Sequence, residues 1–280
     1  MKPVLRMGLI AAAGTTRSFL SRMPVVLGRI GPVKAASFRV ARRIANSLRA
    51  GEAVKNYTDL ASSNFIWIAV PDVGLDRVFR DLAAATSLAG KIVVLCGSSR
   101  DSYWPSPLLG GGARVATLNC VEESDERLFV AEGDPDAMRD LHRVMAAEKR
   151  RLIELRAASK ALYLSGVHLA SHLLLPWIAA SVESLRDAGL SRVEATRLAN
   201  ALGGRALRSY IKAGRKAWGP SAAESLRLSV TRDLDTIRGV DPKLAALYAE
   251  GVEQALRYFE PLSGPRKDAR KRASSPTVQA

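Results

Sequence analysis

The sequence predicts an α/β protein, with a Rossmann-like parallel sheet domain followed by an all-helical C-terminal domain. Two observations predict this class. In the first half, apolar runs of strand length alternate with helical periodicity, which is typical of a doubly wound sheet. After about Glu154 only helical periodicity remains. We therefore divide the chain into a sheet domain at 1–154, a helical domain at 155–262 and a disordered basic tail at 263–280.

Six apolar segments of the first half are predicted strands. The clearest is FIWIAV, a continuous apolar run stopped by Pro71, as expected for a parallel strand buried on both faces. The next, IVVLC, is closed by Gly97. The predicted strands lie at 4–10, 33–37, 65–70, 92–96, 114–118 and 128–131.

Three helices are predicted in the first half, two between these strands and one after the last of them. A basic helical stretch covers 40–48. A second helix has apolar residues at i, i+3, i+4 and i+7, which form one face: Leu75, Val78, Phe79 and Leu82. A third begins with Asp134 as N-cap and Pro135 at its first position, with Met138, Leu141 and Met145 facing inward.

The second half predicts a long helix at 157–188, stopped by Gly189. Capping boxes at Ser191/Glu194 and at Ser221/Glu224 predict the next two helices. Asp241 and Pro242 begin a last helix, which ends before Pro261.

The segment 161–182 has no formally charged residue and is long enough to span a bilayer. It contains His168, His172, Pro176 and several serines, which are costly in lipid. We therefore predict a buried core helix and no membrane span. No secretory signal is visible, and the two cysteines, Cys96 and Cys120, form no disulfide framework or metal motif, so we expect reduced thiols in the cytoplasm.

The net charge of +15 is unevenly placed, since residues 1–50 hold ten Lys or Arg and no Asp or Glu. An organelle transit peptide, a patch for nucleic acid or a membrane surface, and a domain that binds an anionic cofactor would each explain it. The transit peptide is the weakest explanation, because 4–14 already has the pattern of a buried strand and turn.

Six short segments, in this order and spacing, carry a resemblance to a known group of proteins: WIAVPD (67–72), GKIVVLCG (90–97), VAEGD (130–134), KALY (160–163), LAS (169–171) and ESLRDAGL (183–190). The chain resembles bacterial Rossmann-like proteins with a helical C-terminal domain of unknown function. These are relatives of pyrroline-5-carboxylate reductases, 6-phosphogluconate dehydrogenases and deazaflavin-dependent NADP reductases. The resemblance implies an NADP-dependent oxidoreductase without an assigned substrate, and a homodimer formed through the helical domain.

The stretch GLIAAAGTTRSFLSR (8–22) stands where such proteins carry a glycine fingerprint, which provides a tight turn and close approach to a pyrophosphate. The glycines of the group align with Ala11, Ala13 and Thr16, and Gly14 is retained one place late. Thr15 and Thr16 could donate hydroxyl hydrogen bonds to an anion at the helix N-terminus. The alternative is that this segment is an ordinary turn of small residues that binds no ligand.

The end of the second predicted strand bears on cofactor choice. An NAD-selective site places an acidic residue about twenty residues after the fingerprint. Here the region holds Ser37, Arg39 and Arg42, and arginine is suited to a ribose 2′-phosphate. We therefore predict NADP, with Val70 and Pro71 completing the site at the end of the next strand; the alternative is a solvated basic helix face.

Lys160, Tyr163 and Ser171 are the predicted catalytic residues. Lys160 begins the long helix, Tyr163 follows one turn later, and Ser171 falls near the direction of Lys160 on the helical wheel. The resemblance implies that a lysine of this domain donates to the substrate carbonyl; the alternative is a surface lysine. His168 and His172 are spaced i, i+4, but without a His-Glu-x-x-His motif we predict no metal site.

Three functions remain open. The first is an NADP-dependent oxidoreductase of unknown substrate with a degenerate fingerprint, and the second is a non-catalytic protein that binds a nucleotide or metabolite. The third, a nucleic-acid-binding protein, is not expected, because no aromatic platform or known binding motif occurs. The chain differs from the related group at two places, with His172 in place of Asn and Asn119-Cys120 in place of His-Pro. Both differences argue against retained catalysis.

Overall fold

A computed structural model describes residues 6–12, 20–121 and 128–259. The chain divides into two compact units, Met1–Leu169 and Ala170–Ala280. The boundary lies within the helix that begins at Lys160, rather than before it.

Unit one is built on an eight-stranded sheet with the order β3-β2-β1-β4-β5-β6-β7-β8. All neighbouring strands pair in parallel except β6 and β7, which are antiparallel. The predicted Rossmann-like class is therefore confirmed. The strands are β1 (Met7–Ala11), β2 (Ile30–Lys34), β3 (Glu52–Ala53), β4 (Phe65–Ala69), β5 (Ile92–Cys96), β6 (Arg114–Cys120), β7 (Leu128–Gly133) and β8 (Arg151–Glu154).

Helices of unit one cover both faces of this sheet, because strands buried on both sides need apolar partners on both sides. Phe65 and Trp67 of β4 point to one face, and Ile66 and Ile68 to the other. The described helices are α1 (Pro24–Leu27), α2 (Phe38–Leu48), α3 (Asp72–Ala85), α4 (Ser106–Gly110) and α5 (Pro135–Ala147), with a 3₁₀ turn at Tyr57–Leu60.

Two predicted helix features are confirmed. The four apolar residues of α3 that were expected on one face are all buried. The Asp134 side chain caps α5 and accepts hydrogen bonds from the amides of Asp136 and Ala137, at 2.9 and 3.1 Å. An N-cap of this kind replaces hydrogen bonds that the first turn of a helix lacks.

Three strand predictions need correction. β2 begins at Ile30 and ends at Lys34, earlier than predicted, because Gly31 and Pro32 interrupt its apolar pattern. β3 and β8 are too short and too exposed to give a clear strand signal. β7 is antiparallel to β6, so the sheet is mostly rather than wholly parallel.

Unit two is helical, as predicted. The helix α6 (Lys160–Ala170) leads into it, followed by α7 (Leu175–Asp187), α8 (Arg192–Ala213), a 3₁₀ turn at Gly214–Ala217, α9 (Pro220–Val240) and α10 (Pro242–Phe259). The Ser191/Glu194 capping box and the Asp241 cap are confirmed. The Ser221 box is wrong, because α9 begins at Pro220 with Gly219 as its N-cap.

The long helix predicted at 157–188 is interrupted by a turn at 171–174, where Pro176 occupies the first turn of α7. The prediction that it is a buried core helix is wrong for this chain. Leu162, Leu169 and Leu175 are 71%, 65% and 60% exposed. By length and composition alone, the stretch Lys160–Asp187 is also apolar enough to cross a membrane, with a mean hydropathy of 1.3.

Candidate functional site

The carboxyl ends of the parallel strands form one edge of the sheet, and the candidate site lies there. The strand order reverses between β1 and β4, which are neighbours in the sheet although β2 and β3 intervene in sequence. Open α/β sheets bind ligands at such a switch point, outside the carboxyl ends of the strands. Ala11, at the end of β1, is 3% exposed and pairs with Ala69 at the end of β4.

The predicted fingerprint is described only at its start. The amide of Ala12 donates to the carbonyl of Ala69 at 2.9 Å, so the β1–β4 pairing continues to the switch point. The other predicted cofactor residues of this turn lie outside the described residues: Ala13, Gly14, Thr15 and Thr16. Their role stays a prediction.

The start of α2 lies beyond the end of β2, on the same edge. Ser37 is the N-cap, and its hydroxyl accepts a hydrogen bond from the amide of Val40 at 3.3 Å. Arg39 and Arg42 are exposed, three residues apart on the helix, and neither has an ion-pair partner within the described part of the chain. The guanidinium groups add positive charge to the positive end of the helix dipole, which suits a phosphate.

Lys34 does not belong to this cationic group, although it is close in sequence. Its side chain is buried, with Nζ donating to the carbonyl of Ala35 and lying 4.7 Å from the centre of the Tyr57 ring. Burial lowers the pKa of Lys34. The exposed positive charge of this corner therefore comes from the helix α2 and not from β2.

The turn after β4 contains the predicted residues Val70 and Pro71, of which Val70 is half-buried and Pro71 is the exposed N-cap of α3. The next residue, Asp72, was not predicted. Its carboxylate accepts hydrogen bonds from the hydroxyls of Ser98 and Ser99 and from the amide of Ser99. Burial would raise the pKa of Asp72, but these hydrogen bonds outweigh it and the pKa lies below its usual value.

A second acidic residue, Glu132 of β7, was also missed. It is 1% exposed and accepts hydrogen bonds from the amide and hydroxyl of Ser102, both at 2.8 Å, and from the hydroxyl of Thr117 at 3.1 Å. A glutamate inside the apolar run LFVAEG was the signal for it, because a buried charge requires specific partners.

Lys160 is buried at the first position of α6, with a side chain 2% exposed. Its Nζ has no hydrogen-bond partner among the described residues. Burial lowers the pKa of Lys160 to about 8, while the charges of Glu132, Asp72 and Asp101 oppose that effect. The alternative that Lys160 is a surface lysine is therefore wrong.

The thiol of Cys96 belongs to the same group of residues, at the end of β5. Cys96 also interacts electrostatically with Lys160, and burial raises the pKa of its thiol. Cys96 is therefore a neutral, buried neighbour of the lysine.

The other two predicted catalytic residues are placed differently. Tyr163 is half-buried one turn after Lys160, and burial raises the pKa of its phenol. Ser171 is exposed in the turn after α6, where its hydroxyl lies 3.2 Å from Nδ1 of His172. Ser171 falls in unit two, whereas Lys160 and Tyr163 fall in unit one. Within the described ranges no three His, Cys, Asp or Glu side chains group as metal ligands.

No protein-family model and no curated protein matches the sequence. Solved structures do match. A reductive aminase from Aspergillus terreus, in complex with NADPH and ethyl levulinate, has a TM-score of 0.64 at 15% identity and covers 91% of this chain and 95% of its own. A pyrroline-5-carboxylate reductase from Coxiella burnetii has a TM-score of 0.55 at 15% identity, covering 94% and 100%.

An imine reductase variant from Myxococcus stipitatus, in complex with NAD⁺, has a TM-score of 0.62 at 14% identity, covering 91% and 95%. At these identities the likeness shows the fold. The relation expected from the sequence is confirmed at that level. The chain shares the fold of these reductases, a Rossmann-like domain followed by helices.

Proposed function

We propose that this protein is an NADP-dependent reductase of a carbonyl or imine compound. The observation that carries the proposal is Lys160, a buried amine with no hydrogen-bond acceptor among the described residues, beside the carboxyl ends of the strands. A buried polar group without a partner is costly, and a bound ligand would supply the missing acceptor. The structural neighbours that act on imines or amines, among them the reductive aminase, support this substrate class.

The residues at the switch point fit a dinucleotide. Ala11 and Ala12 place only small side chains at the end of β1, and no acidic residue lies between the end of β2 and Arg42. When bound, NADPH supplies a hydride. Arg39 and Arg42 would hold its 2′-phosphate, and the backbone after β1 would face its pyrophosphate.

Lys160 would act on the substrate rather than on the cofactor. In its ammonium form it can donate a hydrogen bond, and then a proton, to the oxygen or nitrogen that gains electron density when hydride arrives. Tyr163, one turn along α6, is the second donor that could reach the same substrate. Ser171 remains a proposed contact from unit two.

The cofactor half of the proposal is tested by Arg39→Ala combined with Arg42→Ala. We expect NADPH affinity to fall at least about tenfold and NADH affinity to stay within about twofold, because only NADPH has a phosphate for the guanidinium groups to bind. Titration by fluorescence measures both.

The matched control is Arg29→Ala with Arg80→Ala, which removes the same charge from exposed positions away from the start of α2. It should leave both affinities unchanged. Equal losses for NADPH and NADH in the Arg39/Arg42 variant would contradict the 2′-phosphate site.

We also propose a homodimer formed through the helices of unit two. Only Ala195, Ala245 and Val252 are buried hydrophobic residues in the described part of this unit, so it lacks a core of its own. Large apolar side chains of this unit are exposed instead, including Leu173 and Ile178, and so is Leu169 at the end of unit one. A second copy fits this surface, because 161–182 has no formally charged residue and so places no like charges opposite each other across the contact.

Changing Leu169 and Leu173 to Glu should convert a dimer of about twice the 30.1 kDa chain mass into a monomer, because carboxylates would be buried in an apolar interface. Analytical ultracentrifugation measures this. Ala84→Glu, at an exposed position of α3, is the control and should stay dimeric. A wild-type monomer, or wild-type protein that floats with lipid vesicles, would overturn the homodimer.

The expected compartment remains the cytoplasm, which the two free cysteines support. A purely non-catalytic binding protein is the competing function, and the turnover experiment on Lys160 separates the two.

A further inference from the structure

We propose that Glu132 is a positioning residue whose fixed, buried carboxylate is the counter-charge that holds the Lys160 ammonium inside the protein. The inference rests on the proposed function for its consequence in turnover. The contacts that support it are within unit one and do not depend on any cofactor.

The first support is the way the carboxylate is fixed. Glu132 is buried opposite Thr117 of β6 with both oxygens occupied: Oε1 accepts from the amide of Ser102 and the hydroxyl of Thr117, and Oε2 accepts from the hydroxyl of Ser102. Three neutral donors hold the carboxylate in place and bring no positive charge to it. The negative charge of Glu132 therefore remains available to a nearby cation.

The second support is the route of the chain. Strand β8 runs parallel to β7, and the amide of Leu155, just after β8, donates to the carbonyl of Ala131 at 2.8 Å. Lys160 follows five residues later, at the start of α6. The backbone neighbour of Glu132 therefore binds the start of the short segment that leads to Lys160.

The third support is the balance of charges around the lysine. Four groups interact with it electrostatically: Glu132 from β7, Asp72 from the start of α3, Asp101 from the loop after β5, and Cys96 from the end of β5. Asp72 is half-buried and committed to Ser98 and Ser99, while Glu132 is fully buried. In a buried setting the less solvated charge has the stronger effect.

The loop after β5 connects the two acidic positions. Ser98 and Ser99 at its beginning bind Asp72, and Ser102 further on binds Glu132. Arg100, between them, lies over the Trp104 ring with its guanidinium carbon 4.5 Å from the ring centre. The loop therefore holds both carboxylates at set positions, with the lysine as the cation that they share.

The test follows the Lys160 amine directly, with ¹³Cε-labelled lysine and NMR, in the full-length protein without cofactor or substrate. The signal is assigned with Lys160→Arg. In the wild type we expect its titration midpoint near pH 8, the value to which burial lowers the pKa. In Glu132→Gln the midpoint should fall by about one pH unit, because a neutral amide no longer favours the ammonium form.

Two further variants isolate the charge. Glu132→Asp keeps the charge and should restore most of the wild-type midpoint. Glu154→Gln, on the adjacent β8 and paired with exposed His142, is the control and should leave the midpoint unchanged. A folded Glu132→Gln protein with the wild-type midpoint would overturn the proposal.

If Glu132→Gln is too unstable for NMR, the double variant with Lys160→Met gives the answer. Removing one member of a buried charge pair leaves the other uncompensated, whereas removing both does not. The double variant should therefore unfold at a higher denaturant concentration than Glu132→Gln alone. Additive losses from the two changes would overturn the proposal. If the protein did not bind NADPH, the proposed reductase function would be wrong, but the expected Lys160 titration and unfolding results would not change.

Discussion

Lys160→Met is expected to reduce turnover at least about a hundredfold while NADPH affinity stays within about twofold, since a donor to developing charge acts on rate more than on cofactor binding. The measurement is a steady-state assay with the best carbonyl or imine substrate from a screen, beside a cofactor titration. Lys91→Met is the matched control. Lys91 also has a pKa lowered by burial, but its Nζ donates to the carbonyls of Ala61 and Ser63.

The same lysine gives a pH dependence with a defined sign. If the ammonium form is the donor, turnover should fall as pH rises through about 8, the lowered pKa of Lys160. Stability changes in the opposite sense. Between about 8 and the ordinary 10.5 the unfolded chain binds more protons at this residue than the folded one, so the free energy of unfolding rises with pH there. Lys160→Met should lose both trends.

Two outcomes would contradict the role of Lys160. A Lys160→Met protein as active as its parent would remove the residue from the mechanism. A parent that binds NADPH and reduces nothing in a broad screen would favour the non-catalytic binding protein.

The sequence predicts well those elements that leave a clear signal within a few consecutive residues. FIWIA and IVVLC are buried at every position, as continuous apolar runs in a parallel sheet should be. The capping residues Asp134 and Ser191 begin their helices because their side chains bond to amides two or three residues away. The apolar runs and the caps each lie within a few consecutive residues, so the sequence alone is enough to predict them.

The site depends on contacts between distant segments, and there the sequence predicts less. Glu132 and Ser102 are thirty residues apart, as are Lys91 and Ala61, and no periodicity links them. The resemblance points to Lys160, but its electrostatic neighbours include residues of β5, β7 and the loop between β5 and α4, which no local pattern predicts. The apolar stretch of α6 and α7 predicts burial from its composition, and that prediction is wrong for the single chain, in which most of its large apolar side chains are exposed.

The last prediction concerns Gly133, which follows Glu132 at the end of β7 and pairs with Ala116 of β6. A Cβ at this position would lie 2.5 Å from Cα of Ala116 and 2.6 Å from the carbonyl oxygen of Val115. Both are backbone atoms of a central strand, so neither can move aside cheaply. Gly133→Ala should therefore destabilise the protein by about 3 kcal/mol and lower the melting temperature by about 10 °C.

Gly110→Ala, at the end of α4, is the matched control, because its Cβ would meet no atom within 4 Å. Differential scanning calorimetry compares the two, and a Gly133→Ala melting temperature equal to that of Gly110→Ala would refute the close approach. The consequence reaches the candidate site, because the approach at Gly133 brings Glu132 beside its register partner Thr117. Forcing β7 away from β6 should lengthen that hydrogen bond and loosen the carboxylate opposite Lys160. The Lys160 signal of folded Gly133→Ala should then titrate below the wild-type midpoint, whereas the signal of Gly110→Ala should not move.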